Sequence, residues 1–156
     1  MLNELLKRAD DILKQNKTLV DLLPDLNEYN ETDWQKYEIY SDEKYNKNIV
    51  CSSDYADLYI ICWKKNQESK IHDHSDNGCS MKILKGKLSE NRYVNMKTHC
   101  GETNDVIKFI SSRIIQKNQL SYNCGTKNIH KITALEDSVS LHIYPKYYVM
   151  TTYECK

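Results

Sequence analysis

Residues 71–90 read IHDHSDNGCSMKILKGKLSE. His72 and His74 stand two apart, so in extended chain their side chains project from one face. Asn77-Gly78 and Lys85-Gly86-Lys87 are turn signals. The runs CSMKIL (79–84) and LSENRYV (88–94) have strand character between and beyond those turns. Two imidazoles on one strand face suit adjacent positions on a single metal ion. His130, in the later run NIHKITA (128–134), completes a three-point set if a barrel folds that run back on the first. Spacing does not choose the metal, since zinc also accepts three histidines and a water.

Outward from this stretch the same alternation continues. LYIICW (58–63), VIKFIS (106–111), QLSYNC (119–124), SVSLHIY (138–144) and YYVMTTY (147–153) are further short strands with turn signals between them. Toward the N-terminus the pattern changes. Leu2, Leu5, Leu6, Ala9, Ile12 and Leu13 recur at helical spacing and predict one amphipathic helix. Pro24 is expected to end the following TLVDLL region, and Thr32 with Gln35 resembles a capping box opening a short helix to about Tyr37. The polar stretch from Lys44 to Asp57 reads as a loop. Eight strands after a helical start predict a mainly β chain, a barrel or jelly roll with N-terminal α-helices.

The chain has 156 residues, a length that suits one domain with a real core. Its 22 basic and 22 acidic side chains balance, which speaks against a dedicated nucleic-acid binder. Twelve Tyr against one Phe suits a β body. No stretch approaches the roughly 18 apolar residues of a membrane span, so no membrane partner is expected. The first residues lack the apolar core of a signal peptide. A cytoplasmic location follows as the expectation, and the six cysteines then read as thiols.

His72, His74, Cys79 and Gly86 together resemble the first motif of the cupin superfamily, which places a Glu ligand where this chain has Cys79. Three neutral histidines leave the full charge on a divalent ion. That favours an anionic ligand such as a thiolate, which a metal deprotonates on coordination. Within the cupins, residues 71–90 resemble cysteine dioxygenase. So do Tyr45 to Val50, Ile61-Cys62-Trp63, Asn128 to Ile132 and Ser140-Leu141-His142-Ile143-Tyr144-Pro145. The likeness runs in order over roughly residues 30 to 153. It implies a small cupin-type β-barrel, a single domain over 1–156 with residues 1–38 helical and 40–156 forming the barrel. It implies one Fe(II) per chain on His72, His74 and His130, with L-cysteine and O2 as small-molecule partners and the sulfinic acid as product. It implies a thioether crosslink between Cys79 and Tyr144. It also implies a relay in which His142 bonds the Tyr144 hydroxyl with Ser140 behind it, and Tyr45 lining the substrate pocket. A monomer is expected from the same likeness. Trp63 reads as packing, and His99 as a surface-loop residue.

The departures are specific. Lys47 stands where the family grips the substrate carboxylate with Arg, so the charge survives without the planar two-point contact. Gly78 replaces a polar or histidine residue, and Met150 falls on a family Cys. The chain stops soon after Tyr153, a hairpin's length short of animal-type members, which bears on how the barrel's end is closed. Three other readings compete. One is a dioxygenase for cysteamine or 3-mercaptopropionate. Another is a zinc or nickel cupin doing hydrolysis or isomerisation, though Asp73 should point away from the histidine face. The last is a non-catalytic cupin that senses a thiol.

Overall fold

A computed structural model describes residues 1–96 and 106–155 of the chain. Two helices come first, α1 (Leu2–Lys14) and α2 (Leu23–Glu28). Ten strands follow: β1 (Asn46–Ser52), β2 (Ala56–Trp63), β3 (Ile71–His72), β4 (Cys79–Lys85), β5 (Lys87–Asn95), β6 (Ile107–Gln116), β7 (Leu120–Asn123), β8 (Asn128–Ala134), β9 (Ser138–Pro145) and β10 (Thr152–Tyr153). They form two five-stranded sheets, ordered β1-β2-β9-β4-β7 and β10-β3-β8-β5-β6, with antiparallel pairing throughout.

The first sheet is covered on both faces, which is why LYIICW is an unbroken apolar run. Leu58, Ile60 and Cys62 of β2, with Val139, Leu141 and Ile143 of β9, pack outward against Leu2, Leu5, Ala9 and Ile12 of α1 and Leu26 of α2. The alternate residues turn inward. Ile61, Trp63, Met81 and Ile83 meet Leu88, Ile115, Ile132 and Ala134 from the second sheet in the barrel's apolar half. Ser140, His142 and Tyr144 take the inward positions on β9, so one strand serves a helix-facing core and a polar interior by its two-residue period.

Lys82 faces the helices and is almost wholly buried. Its ammonium donates to the carbonyls of Leu26 (2.8 Å), Asn27 (3.1 Å) and Tyr29 (2.6 Å). Three donors thus meet three carbonyls at the end of α2, where the Leu26 carbonyl also accepts a backbone amide, that of Tyr29 (3.3 Å). Gly86 joins β4 to β5 and so passes the chain from one sheet to the other. It has φ of 79°, and a Cβ there would collide with Ser138 and the Asp137 carbonyl.

Several expectations need correction. The stretch from Lys44 to Asp57 holds strand β1, whose residues are all partly or fully exposed. It is an edge strand paired on one side, so the apolar alternation that marks buried strands is missing. Pro24 does not end a helical region; it sits in the first turn of α2, where a missing N–H costs nothing. Gln35–Tyr37 is a short 3-10 turn without a side-chain cap, so the capping box at Thr32 does not form. Of the strand expected over 147–153, Thr152–Tyr153 pairs. His99 lies outside the described residues. Among the described residues, no helix is long and apolar enough to cross a membrane.

Candidate metal centre and active site

β3 and β8 are antiparallel neighbours, and His72 is directly opposite His130 in their register. His74 follows β3, its amide held by the Gly125 carbonyl (3.2 Å). One ring nitrogen from each histidine lies within 4.8 Å of the others. The hydrogen bonds fix which nitrogens face inward. His72 Nδ1 is 2.8 Å from the Lys70 carbonyl, an acceptor, so Nδ1 carries the proton and Nε2 a lone pair. His130 Nδ1 donates to a Glu90 carboxylate oxygen (3.0 Å), so in the neutral ring Nε2 holds the lone pair. The two Nε2 atoms are 3.1 Å apart. Two lone pairs at that distance repel unless a cation is shared between them. Metal–nitrogen bonds of ~2.1 Å at a right angle give ~3.0 Å between the nitrogens, so the donor set fits a metal ion. Burial, reinforced by the neighbouring His130, lowers His72 to about 4 and depresses His74 further, which keeps both imidazoles neutral and able to ligate.

Glu90 is fully buried on β5. One oxygen takes His130 and the Ser121 hydroxyl (2.6 Å); the other takes Arg92 (2.9 Å) and Arg113 (2.9 Å). Burial alone would raise this carboxyl, but His130, Ser121 and Arg92 outweigh burial and hold it well below the usual carboxylate range. Asp73 points away from the histidine face, as its place between His72 and His74 predicts. It accepts from the Tyr148 hydroxyl (3.0 Å), the Thr151 amide (2.7 Å) and the Tyr153 hydroxyl (2.9 Å). It therefore straps the segment after β9 against the ligand loop.

The facing sheet supplies a chain of hydrogen bonds with one sense. Trp63 Nε1–H, which can only donate, gives to Ser140 Oγ (2.9 Å). The Ser140 hydroxyl then gives its own proton to His142 Nε2 (2.8 Å). Burial, aided by the Lys47 charge, holds His142 well below its ordinary pKa, so the ring is neutral and its proton sits on Nδ1. Nδ1 in turn donates to the Tyr144 oxygen (3.1 Å). The Tyr144 hydroxyl hydrogen is thereby turned away from His142 and into the site. Cys79 lies within hydrogen-bond reach of that hydroxyl. Burial pushes the Cys79 thiol up to about 12, so it is protonated at neutral pH. Burial and Cys79 raise Tyr144 well above an ordinary phenol.

A cavity of about 340 Å³ opens over His72 and His130 and is walled by Tyr45, Trp63, Lys47 and Tyr144. Tyr45 stacks on Trp63 with ring centres 4.4 Å apart. A smaller space of about 100 Å³ lies by His74, Cys79 and Gly78. Met150 lines both. The Lys47 ammonium sits between them, 4.7 Å from the Tyr59 ring centre and 4.9 Å from that of Tyr144. The structure thus brings together every expected site residue: His72, His74 and His130 on one side, Cys79, Ser140, His142 and Tyr144 on the other, Lys47 and Tyr45 at the wall. Trp63 packs in the core as expected, and in addition its Nε1–H orients Ser140 in the hydrogen-bond chain. One residue at the centre was not singled out from the sequence. Glu90 offered only its place at the end of the family-like stretch 71–90 and a strand face shared with Arg92, because its other partners come from β6, β7 and β8.

The family model for cysteine dioxygenase type I matches residues 1–156. Curated relatives include cysteine dioxygenase type 1 of Bos taurus, 33% identical over 121 residues, covering 75% of this chain and 58% of the relative. The Danio rerio protein of the same name is 29% identical over 152 residues, covering 92% of this chain and 73% of the relative. The chain therefore spans little more than half the length of the bovine relative. Among solved structures, a Klebsiella pneumoniae protein with a double-stranded β-helix domain superposes with a TM-score of 0.58 at 11% identity, covering 81% of this chain and 93% of that one. A cupin-2 domain protein from Shewanella frigidimarina gives 0.51 at 12% identity, covering 75% and 95%. At these identities the likeness establishes the cupin fold alone.

Proposed function

The chain belongs to the cysteine dioxygenase type I family, and from that membership we propose that it is a thiol dioxygenase. The reaction is R–SH + O2 → R–SO2H, with both oxygen atoms delivered to sulfur and L-cysteine as the leading substrate. The observation that carries this reading is the convergence of a ring nitrogen from each of three histidines opposite the Tyr144 phenol. His72, His74 and His130 would hold one ferrous ion, which supplies the one-electron chemistry that lets O2 react with a thiolate.

The remaining work falls to the chain's own groups. Tyr144 would donate its hydroxyl hydrogen to the reacting sulfur or oxygen, while His142, Ser140 and Trp63 keep that hydrogen pointed inward. The thioether between Cys79 and a Tyr144 ring carbon would fix the phenol. Its formation removes one hydrogen from sulfur and one from the ring, and O2 takes up the two electrons. Lys47 would attract the substrate carboxylate, and the Tyr45–Trp63 stack would form the apolar wall beside it.

A second reading within the same chemistry is favoured by Lys47. Its ammonium is already engaged by two aromatic faces, and a point charge discriminates less than a planar guanidinium. The test is oxygen consumption by iron-loaded protein with L-cysteine, cysteamine and 3-mercaptopropionate in parallel, with sulfinates identified. Oxidation chiefly of L-cysteine is expected, with Lys47→Arg lowering its KM. Preference for another thiol would move the substrate and keep the chemistry. No uptake with any thiol, with iron verified on the protein, would leave a thiol-sensing cupin.

A further inference from the structure

We propose that Glu90 is a positioning residue for the metal centre, acting through His130 to give an otherwise neutral ligand set an anionic partner. The inference rests on the three-histidine reading and concerns a residue to which that reading gives no role. β5 lies between β8 and β6, and its register puts Glu90 opposite Arg113 of β6 and Ile132 of β8. The carboxylate is divided between two tasks. One oxygen is neutralised by Arg92 and Arg113, side chains 31% and 49% exposed, which bring positive charge in from the surface. The other oxygen is aimed at His130 Nδ1, with Ser121 at 2.6 Å and Asn123 at 3.5 Å closing around it.

A purely structural ion pair would not need the second oxygen to face a metal-binding imidazole. The bond to Nδ1–H pins the His130 tautomer and ring plane, and the negative charge behind the ring makes Nε2 a stronger donor. The three ligands are then unequal. His72 is backed by a carbonyl and His130 by a charge, while His74 Nδ1 is buried without a partner among the described residues. A stronger donor at one position stabilises the higher oxidation state of a bound iron.

Glu90→Gln keeps the shape and an acceptor and removes the charge. The experiment measures ferrous iron affinity by anaerobic competition with a chelator, and the midpoint potential of the iron, on protein whose fold is checked by circular dichroism. Affinity is expected to fall about 10- to 100-fold, and the potential to move positive. A folded variant with wild-type affinity and potential would overturn the proposal. If Glu90→Gln does not fold, Ser121→Ala and Arg113→Gln decide it. Each removes a partner that draws charge from the carboxylate, so both should shift the potential negative, opposite to Glu90→Gln, and an unchanged potential in both sinks the idea. Wild-type protein that binds no iron would bring down the three-histidine reading itself, an outcome distinct from an insensitive variant.

Discussion

At the scale of single residues, the site depends on where a few protons sit. Trp63 donates to Ser140, the buried Ser140 proton is satisfied on His142 Nε2, and the neutral His142 ring then presents N–H to Tyr144. Trp63→Phe removes the fixed donor and lets Ser140 turn. We expect kcat to fall about 10-fold with little change in KM. Tyr144→Phe removes the hydroxyl itself and is expected to cost about 100-fold or more in kcat, within the usual range for a positioned proton donor. Steady-state oxygen uptake measures both. Intact mass adds a second readout: wild-type protein should run two hydrogens light from the thioether, and Tyr144→Phe should not. Equal activity in all three proteins would remove the hydrogen-bond chain from the chemistry.

At the scale of elements, each ligand owes its place to pairing between strands far apart in sequence. β3 is two residues long, yet it sets His72 opposite His130 and, through Asp73, holds the segment that carries Met150 over the cavity. The helices are tied on in a comparable way. Lys82 of β4 reaches from the sheet to the end of α2, where it makes three hydrogen bonds. Lys82→Met removes a donor from all three carbonyls and leaves those of Asn27 and Tyr29 with none among the described residues, and the loss should be ~3 kcal/mol. For a chain of this size that lowers Tm by roughly 6–12 °C. Thermal unfolding followed by circular dichroism checks it. A Tm within a degree or two of wild type would mean that water reaches those carbonyls when the lysine is gone.

At the scale of the whole molecule, the two sheets form one interior with an apolar half and a polar half, and both contribute to the candidate active site. His72, His74 and His130 belong to the second sheet and the loop after it, while Cys79, Ser140, His142 and Tyr144 belong to the first. A metal ion on the histidines therefore binds the folded state and not the unfolded chain. At a free concentration 100 times Kd it should add ~2.7 kcal/mol, or roughly 5–11 °C in Tm. A chelator should reverse the gain, and His130→Ala should abolish it. Calorimetry with and without ferrous iron under argon tests this; a Tm indifferent to iron would argue against a metal site built from these histidines. Much of the design was legible in the residues. The two-residue period on SVSLHIY put Ser140, His142 and Tyr144 on one face, and the two-residue gap between His72 and His74 did the same for two ligands, because strand geometry is local. The helical spacing of Leu2, Leu5, Leu6, Ala9 and Ile12 announced α1 for the same reason. Where a segment lies at an edge, as β1 does, one-sided pairing leaves no apolar signature to read. The role of Glu90, the direction imposed by Trp63 and the Asp73 strap were decided only by the tertiary structure, because each depends on which strand becomes the neighbour of which, and pairing between distant segments is not written in the spacing of either.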